Sequence, residues 1–273
     1  MRLAVVVQTP DVPREAPLGL LTGSFAEKLS KAAQWGADGV ELLTVDPSSL
    51  DRHSLRVQLR NAGLEVAAIS SGALRSVCDL ALLAEDRDRA TKAARCFTEL
   101  IHFAADVEAP LVTVGGFRGR VAGGGPNVRA RLVGLLRETA SHAARYGVCV
   151  ALEPLNRYET DIVITAEEGL LLVREVDQAS FGIMLDTFHV NIEERGWIEP
   201  FRQVAQAGRL WHIHLGDNNR SAAGFGHLDF SSLVSALREM GYDGYLSAEH
   251  LAIPDPDAAA RQTLSHMRRL LYS

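Results

Sequence analysis

The sequence predicts a (β/α)8 barrel, an α/β fold of the TIM-barrel type, with residues 1–273 in a single domain. One reason is the alternation of short β-branched and apolar runs with longer segments whose apolar residues recur every three or four positions, as in helices with one buried face. The other is the count, because eight such pairs of strand and helix fill the 273 residues. A barrel of this kind typically has about 250 residues.

The predicted strands are the runs at residues 3–8, 39–44, 65–71, 110–116, 148–154, 182–188, 210–216 and 245–250. The clearest helical patterns are SFAEKLSKAAQWG, RDRATKAARCFTELIHFAADV, NVRARLVGLLRETASHAARYG and DFSSLVSALREMG. A doubly wound open sheet has the same alternation and is the alternative fold. No G-x-G-x-x-G follows the first predicted strand, which removes the usual nucleotide-binding reason to prefer it.

The composition is that of an ordinary globular protein, with 47% hydrophobic and 23% charged residues. The formal net charge of -6 gives no electrostatic reason to expect nucleic acid or an anionic membrane as a partner. The first apolar run stops at Pro10, too early for a signal sequence or a membrane span. Cys78, Cys96 and Cys149 are scattered without a CxxC pair, which suits free thiols in a reducing compartment. We therefore expect a cytoplasmic protein.

A long glycine-rich loop is predicted at residues 115–127, GGFRGRVAGGGPN. It lacks the G-K-[ST] of a phosphate-binding P-loop, and we interpret it as a flexible loop after the fourth strand. The alternative is a lid that carries Arg118 or Arg120 to an anionic group. The proline-rich segment at residues 9–20 is a second candidate for a lid.

The stretch WHIHLGDNNR, residues 211–220, carries two histidines in an apolar run that leads into a polar turn. Side chains two residues apart in a strand share a face. Alternation therefore directs Trp211 and Ile213 toward the helices, and His212 and His214 toward the barrel interior. His212 lies deeper than His214, and we expect it either to support the site through a hydrogen bond or to be a core histidine.

The same alternation leaves one polar, inward-facing residue at the C-terminal end of each of the last four predicted strands. These residues are Glu153, Asp186, His214 and Glu249. Enzymes with this fold carry their active sites at that end of the barrel. Each residue alone is better explained as a helix cap or an ion-pair partner, but four at one level on adjacent strands favour a functional site. Glu41, which ends the second strand, is not assigned to this site.

Three carboxylates that converge on one point repel one another unless a cation lies between them. Three oxygen ligands with one imidazole and no thiolate suit Mn2+, Mg2+ or Co2+, and Zn2+ is a further option. We therefore expect one divalent metal ion, with its remaining positions open to water or to substrate oxygens.

Four segments resemble the xylose-isomerase-like barrel superfamily, and are most similar to its D-tagatose and D-psicose 3-epimerases. They are ALEPLNRYET (151–160), MLDTFHVNIEE (184–194), HIHLGDNNR (212–220) and SAEH (247–250). The resemblance implies metal ligation by the same four residues that alternation selects. It also implies that Glu159, His189 and Arg220 hold the hydroxyl and carbonyl oxygens at the reacting end of a sugar.

The activity that the resemblance implies is epimerisation of a ketose at C3, by an enzyme of the isomerase class. A metal that chelates the ketone oxygen and its neighbouring hydroxyl stabilises the enediolate left when the C3 proton is removed. Epimerisation then requires acid/base groups on opposite faces of that planar intermediate, and Glu153 and Glu249 would be this pair. The implied partner is a small sugar or sugar phosphate, and the implied assembly is a dimer or tetramer.

Other activities occur on the same metal set in this superfamily. They are aldose–ketose isomerisation, sugar-phosphate epimerisation, inosose dehydration and hydroxypyruvate isomerisation. Arginines in the segments at 69–75 and 114–120 make a phosphorylated or carboxylated substrate a stronger alternative. An abasic-site endonuclease would need histidines at the ends of the third and fourth strands, where serines and glycines stand instead. A sugar-binding barrel without activity is the non-enzyme alternative, which the presence of both Glu153 and Glu249 disfavours.

Overall fold

The computed structural model describes residues 1–13, 17–121 and 127–272. Parallel strands follow one another around a closed barrel, in which the first strand pairs with both the second and the eighth. The predicted (β/α)8 barrel is therefore confirmed. The strands are β1 (Arg2–Gln8), β2 (Gly39–Leu43), β3 (Glu65–Ser70), β4 (Leu111–Val114), β5 (Cys149–Leu152), β6 (Phe181–Asp186), β7 (Leu210–Leu215) and β8 (Tyr245–Ala248).

The helices of the described residues cover the outside of the barrel and form part of its upper rim. They are α1 (Phe25–Gln34), α2 (Arg52–Ala62), α3 (Gly72–Ser76), α4 (Arg87–Asp106), α5 (Val128–Ala144), α6 (Ala166–Val176), α7 (Thr187–Glu193), α8 (Glu199–Gln206), α9 (Phe230–Glu239) and α10 (Pro256–Tyr272). Within the described chain, none of them combines the length and the apolar composition that crossing a membrane requires.

The fifth and eighth predicted strands run two residues past the observed ends of β5 and β8. The next residues nevertheless continue the ladder by one hydrogen bond each. The Glu153 N–H donates to the carbonyl of Val114 at 3.0 Å, and the Glu249 N–H donates to that of Leu215 at 3.3 Å. The alternation of side chains therefore extends to both glutamates, although neither is part of a regular strand.

Apolar side chains fill two separate spaces. Between the barrel and the helices they form one continuous layer, in which Phe97 and Phe181 are completely buried. Inside the barrel, the space is narrow and small side chains predominate. A cluster in the lower interior consists of Ala68, Leu111, Ala151 and Met184.

The side chain of Trp211 points in the opposite direction to the one that alternation predicts. It packs against the interior cluster, not outward among the helices. A shift of register in the pairing of β6 with β7 leaves Trp211 without a partner residue, so that its side chain turns inward. The indole occupies the space next to Gly182, where an added Cβ would lie 2.5 Å from the ring. Beyond this irregularity the alternation resumes, and His212 and His214 face inward as predicted.

The loop predicted at 115–127 is held tightly in its described part, and its residues 122–126 lie outside the described chain. Arg118 is completely buried, so the hypothesis that it reaches an anionic ligand is wrong. Its guanidinium instead donates to backbone carbonyls, those of Gly115, Glu153, Ile162 and Val163. Arg120 is exposed and donates to the carbonyl of Tyr158 at 2.7 Å. The buried Arg118 therefore holds the loops around the barrel mouth in place.

Candidate metal centre and active site

The four residues that alternation selects come together at the C-terminal mouth of the barrel. Glu153 follows β5, Asp186 ends β6, His214 lies in β7 and Glu249 follows β8. One ligand atom from each lies within 4.8 Å of the others, and all four side chains are buried. We call this group the four-residue cluster.

Several polar atoms of the four-residue cluster have no hydrogen-bond partner and lie toward its centre. Asp186 caps helix α7, because its Oδ1 accepts a hydrogen bond from the N–H of Phe188 at 2.8 Å. Its Oδ2 has no hydrogen-bond partner among the described residues, and the same holds for Glu153 Oε1 and His214 Nδ1. Buried polar atoms without partners are costly. Two carboxylate oxygens and an imidazole nitrogen left in this state fit a divalent cation.

Burial and mutual repulsion shift the pKa values of the cluster. Burial raises the pKa of Asp186 to about 8, and the charge of Glu153 adds to the effect. Burial also raises the pKa of Glu153. Burial acts in the same direction on Glu249, but the adjacent His214 outweighs it and holds the pKa of Glu249 below its usual value. Burial favours the neutral ring of His214, yet Glu249 and Glu41 raise its pKa well above the ordinary value. The cluster therefore holds protons that a cation would displace.

Glu41 is the residue of this site that the sequence analysis leaves out. It is completely buried on β2, and its carboxylate lies 2.9 Å from His214 Nε2 and 2.9 Å from His212 Nε2. The two imidazoles lower the pKa of Glu41 against the opposing effect of burial. His212 therefore supports the site as predicted, through the carboxylate of Glu41, which contacts both histidines. Alternation extended to β2 would have directed Glu41 to the interior.

The three residues expected to hold a sugar lie beside the cluster. His189 is in α7, and its Nε2 lies 3.8 Å from Glu153 Oε1 and 3.7 Å from Asp186 Oδ2. Arg220 Nη1 and Glu159 Oε1 form an ion pair at 2.5 Å. The structure thus brings together every residue that the sequence analysis selects for the site.

The loop after β7 holds Arg220 in an uncommon backbone conformation, with φ at 59°. The buried Asp217 fixes this loop, since its carboxylate accepts hydrogen bonds from the N–H groups of Gly224, Gly226 and Leu228. The Arg220 N–H in turn donates to the carbonyl of Asp217 at 2.8 Å. Strained backbone at a defined place is typical of functional sites, because the surrounding bonds must maintain it.

A cavity of about 310 Å³ opens above the cluster, a size suited to a small molecule. Its polar end holds Glu153, Glu159, Arg220 and Glu249. Its other walls are formed by aliphatic side chains, Pro17, Leu18, Leu43, Leu155 and Leu251, together with Gly72, Arg75, Ser76 and Gly116. Pro17 and Leu18 belong to the segment at 9–20 that was predicted as a lid, of which residues 14–16 lie outside the described chain.

Comparison with known proteins identifies the class that this fold and site define. The family model described as Xylose isomerase-like TIM barrel matches residues 29–270. The chain belongs to this family.

Two relatives and one solved structure show which kind of enzyme in this family the chain resembles. L-ribulose 3-epimerase of Methylomonas sp. (strain DH-1) is 29% identical over 250 residues, which cover 89% of this chain and 84% of that protein. Ketose 3-epimerase of Arthrobacter globiformis is 34% identical over 228 residues, which cover 79% of this chain and 74% of that protein. The structure of D-psicose 3-epimerase from Clostridium cellulolyticum H10 with D-tagatose shares the fold, with a TM-score of 0.80, 22% identity and coverage of 100% of both chains. The predicted similarity to ketose 3-epimerases and the predicted enzyme class, an isomerase, are confirmed.

Proposed function

We propose that the protein is a divalent-metal-dependent ketose 3-epimerase, which inverts C3 of a small ketose through an enediolate. The observation that carries the proposal is the convergence of Glu153 and Glu249 on one cavity, beside Asp186 and His214. The relatives named as an L-ribulose 3-epimerase and a ketose 3-epimerase support the same reaction.

The four-residue cluster would hold the metal ion, since it offers partnerless buried ligand atoms of the kind that Mn2+, Mg2+ or Co2+ prefers. When bound, such an ion would act as a Lewis acid and make the proton next to the ketone more acidic. Mn2+ is the ion we favour for this set of three carboxylates and one imidazole.

The proton transfers fall to the two glutamates. One removes the C3 proton as general base, and the other returns a proton to the opposite face as general acid. Glu153 follows β5 and Glu249 follows β8, so the two carboxylates approach the cavity from different sides of the barrel. His189, Glu159 and Arg220 would bind the oxygens at the reacting end of the sugar and fix its C3 between the glutamates.

The test is proton NMR in D2O with added Mn2+, followed by removal of the ion before the spectra are recorded, on a panel of free and phosphorylated ketoses. Phosphorylated sugars belong in the panel because Arg75 borders the cavity. Deuterium at C3 together with the C3 epimer is the expected result, and the substrate that exchanges fastest identifies the substrate class. Deuterium at C1 with an aldose product would make the enzyme an aldose–ketose isomerase. Absence of exchange from every ketose of the panel in the metal-loaded protein would reject the proposal in favour of a dehydratase-type reaction.

A further inference from the structure

Asn156 connects two of the residues that face the cavity. It is buried in the loop that follows β5. Its Nδ2 lies 2.8 Å from His189 Nδ1 and 3.2 Å from Glu159 Oε1. None of the roles described so far involves this amide.

The contacts of Asn156 determine which end of its amide faces His189. Its Oδ1 accepts a hydrogen bond from the backbone N–H of Tyr158 at 3.0 Å, and an N–H can only donate. The other end lies against the carboxylate of Glu159, which requires a donor. Both contacts give the same orientation, so the atom next to His189 Nδ1 is the NH2 group.

A nitrogen that accepts a hydrogen bond carries no proton. His189 Nδ1 accepts from the Asn156 NH2 at 2.8 Å, and the backbone N–H of Asn156 points to the same atom at 3.4 Å. The ring is therefore neutral, with its proton on Nε2. His189 Nε2 is buried and has no hydrogen-bond partner within the described chain. It lies nearest to Glu153 Oε1 and Asp186 Oδ2, at 3.8 and 3.7 Å.

We propose that Asn156 is a positioning residue that holds His189 as a neutral Nε2–H donor directed at a substrate oxygen beside the four-residue cluster. The identity of that oxygen, the carbonyl or hydroxyl at the reacting end of a ketose, rests on the proposed function. The same amide orients Glu159, which in turn pairs with Arg220, so that one side chain sets the direction of the whole substrate-facing group. A fixed donor at an oxygen that gains negative charge stabilises the transition state without reorganisation.

The direct test is the 15N NMR spectrum of the histidine rings, because protonated and unprotonated ring nitrogens have well separated shifts. The chain has 9 histidines, and a His189→Gln variant assigns the His189 signals by their loss. Spectra are recorded for the metal-free protein and for the protein with Mg2+, which is diamagnetic. The key variant is Asn156→Asp, because a carboxylate at this position can only accept and therefore requires a proton on His189 Nδ1. Asn61→Asp, in the exposed part of α2, is the matched control for an added charge.

We expect the wild-type His189 ring to carry its proton on Nε2 alone, and Asn156→Asp to place a proton on Nδ1. On the ketose that the D2O experiment identifies, the variant should lose about 100-fold in kcat. Its binding of Mn2+ should stay close to that of the wild type, and Asn61→Asp should change neither property.

A wild-type spectrum with the proton on Nδ1 would overturn the proposal, and so would an Asn156→Asp spectrum identical to wild type at a pH where the new carboxyl group is ionised. The wild-type spectrum decides the tautomer even where the variant does not fold. Since the spectra require no substrate, the expected tautomer together with absence of C3 exchange would reject the proposed function while confirming the role of Asn156 toward His189.

Discussion

The carboxylate of Glu41 and the ring of His214 meet inside the barrel, with Nε2 at 2.9 Å from Oε2 and 3.1 Å from Oε1. This contact leaves Nδ1 of the ring directed at Glu153 and Glu249, at 3.6 and 3.1 Å. A carboxylate that holds the remote nitrogen of a metal-binding imidazole fixes its tautomer and raises its basicity. In the proposed metal site, Glu41 would therefore hold His214 with its Nδ1 toward the cation.

Replacement of Glu41 tests this relationship. Glu41→Gln keeps the shape of the side chain but removes its negative charge and one of the two oxygens that accept from His214. We expect the affinity for Mn2+ to fall about 10- to 100-fold, the range typical for loss of such a partner. The measurement is calorimetric titration of the metal-stripped protein. His212→Gln is the matched control, because it removes the other partner of Glu41 and keeps the contact with His214. An equal loss of affinity in both variants would show that only the packing of this layer matters.

The pKa shifts of the cluster predict how the stability of the metal-stripped protein depends on pH. The pKa of Asp186 is raised to about 8, chiefly by burial, so the folded state binds this proton more tightly than the unfolded chain does. His214 has a raised pKa as well. Stability that arises from a raised pKa is lost as the pH rises through the folded-state value. The melting temperature of the metal-stripped protein should therefore fall between about pH 5 and pH 8, as the folded state loses the proton of Asp186 that the unfolded chain has already lost.

Addition of Mn2+ should remove most of this dependence, because the ion replaces the protons. Binding near pH 7 should release protons, which titrations in buffers of different ionisation enthalpy measure. A metal-stripped protein whose melting temperature rises over the same interval of pH would contradict the prediction.

Glu249→Gln tests the division of the proton transfers. The amide keeps an oxygen that can ligate the ion, but it cannot accept a proton. At saturating Mn2+ we expect epimerisation to fall by about 100- to 10,000-fold, the usual worth of a general acid or base. Glu153 remains able to exchange the proton on its own face of the sugar, so one C3 epimer should still take up deuterium without inversion. Glu153→Gln should give the complementary pattern with the other epimer. Full turnover by the metal-bound Glu249→Gln variant would reject the scheme of two bases.

Much of the candidate site is predictable because the direction of a side chain in a strand is a local property of the backbone. The four-residue cluster follows from alternation along single strands, and Glu153 and Glu249 obey it since their N–H groups continue the ladder. Glu159 and Arg220 lie in loops, and His189 lies in helix α7. Alternation along a strand gives no information about such segments, and only the likeness of their motifs to a family selects these residues.

The parts that sequence patterns miss depend on contacts between distant segments. Glu41 meets the histidines across the barrel interior, from a strand that does not pair with β7. Trp211 turns inward because of a register shift between two strands, which neither strand encodes by itself. Arg118 is buried by loops after β4 and β5 that converge only in the folded barrel. In each case the deciding partner is far away in the sequence.

The two arginines of the loop after β4 should differ sharply in their effect on stability. Arg118 is buried, and its guanidinium donates hydrogen bonds to carbonyls that include those of Glu153 and Ile162. Burial lowers its pKa to about 10, so it stays charged near neutral pH. Arg118→Met would leave buried carbonyls without donors. We expect the free energy of unfolding to fall by roughly 3 kcal/mol or more.

Arg120→Met is the control, since the exposed Arg120 loses one hydrogen bond to a carbonyl that water can replace. Denaturant unfolding should show no measurable change for this variant. Because the Arg118 guanidinium fixes the backbone of Glu153, the Arg118→Met variant should also bind Mn2+ more weakly under conditions where it remains folded. Equal stability of the two variants would mean that the loops at the barrel mouth hold their places without the buried cation.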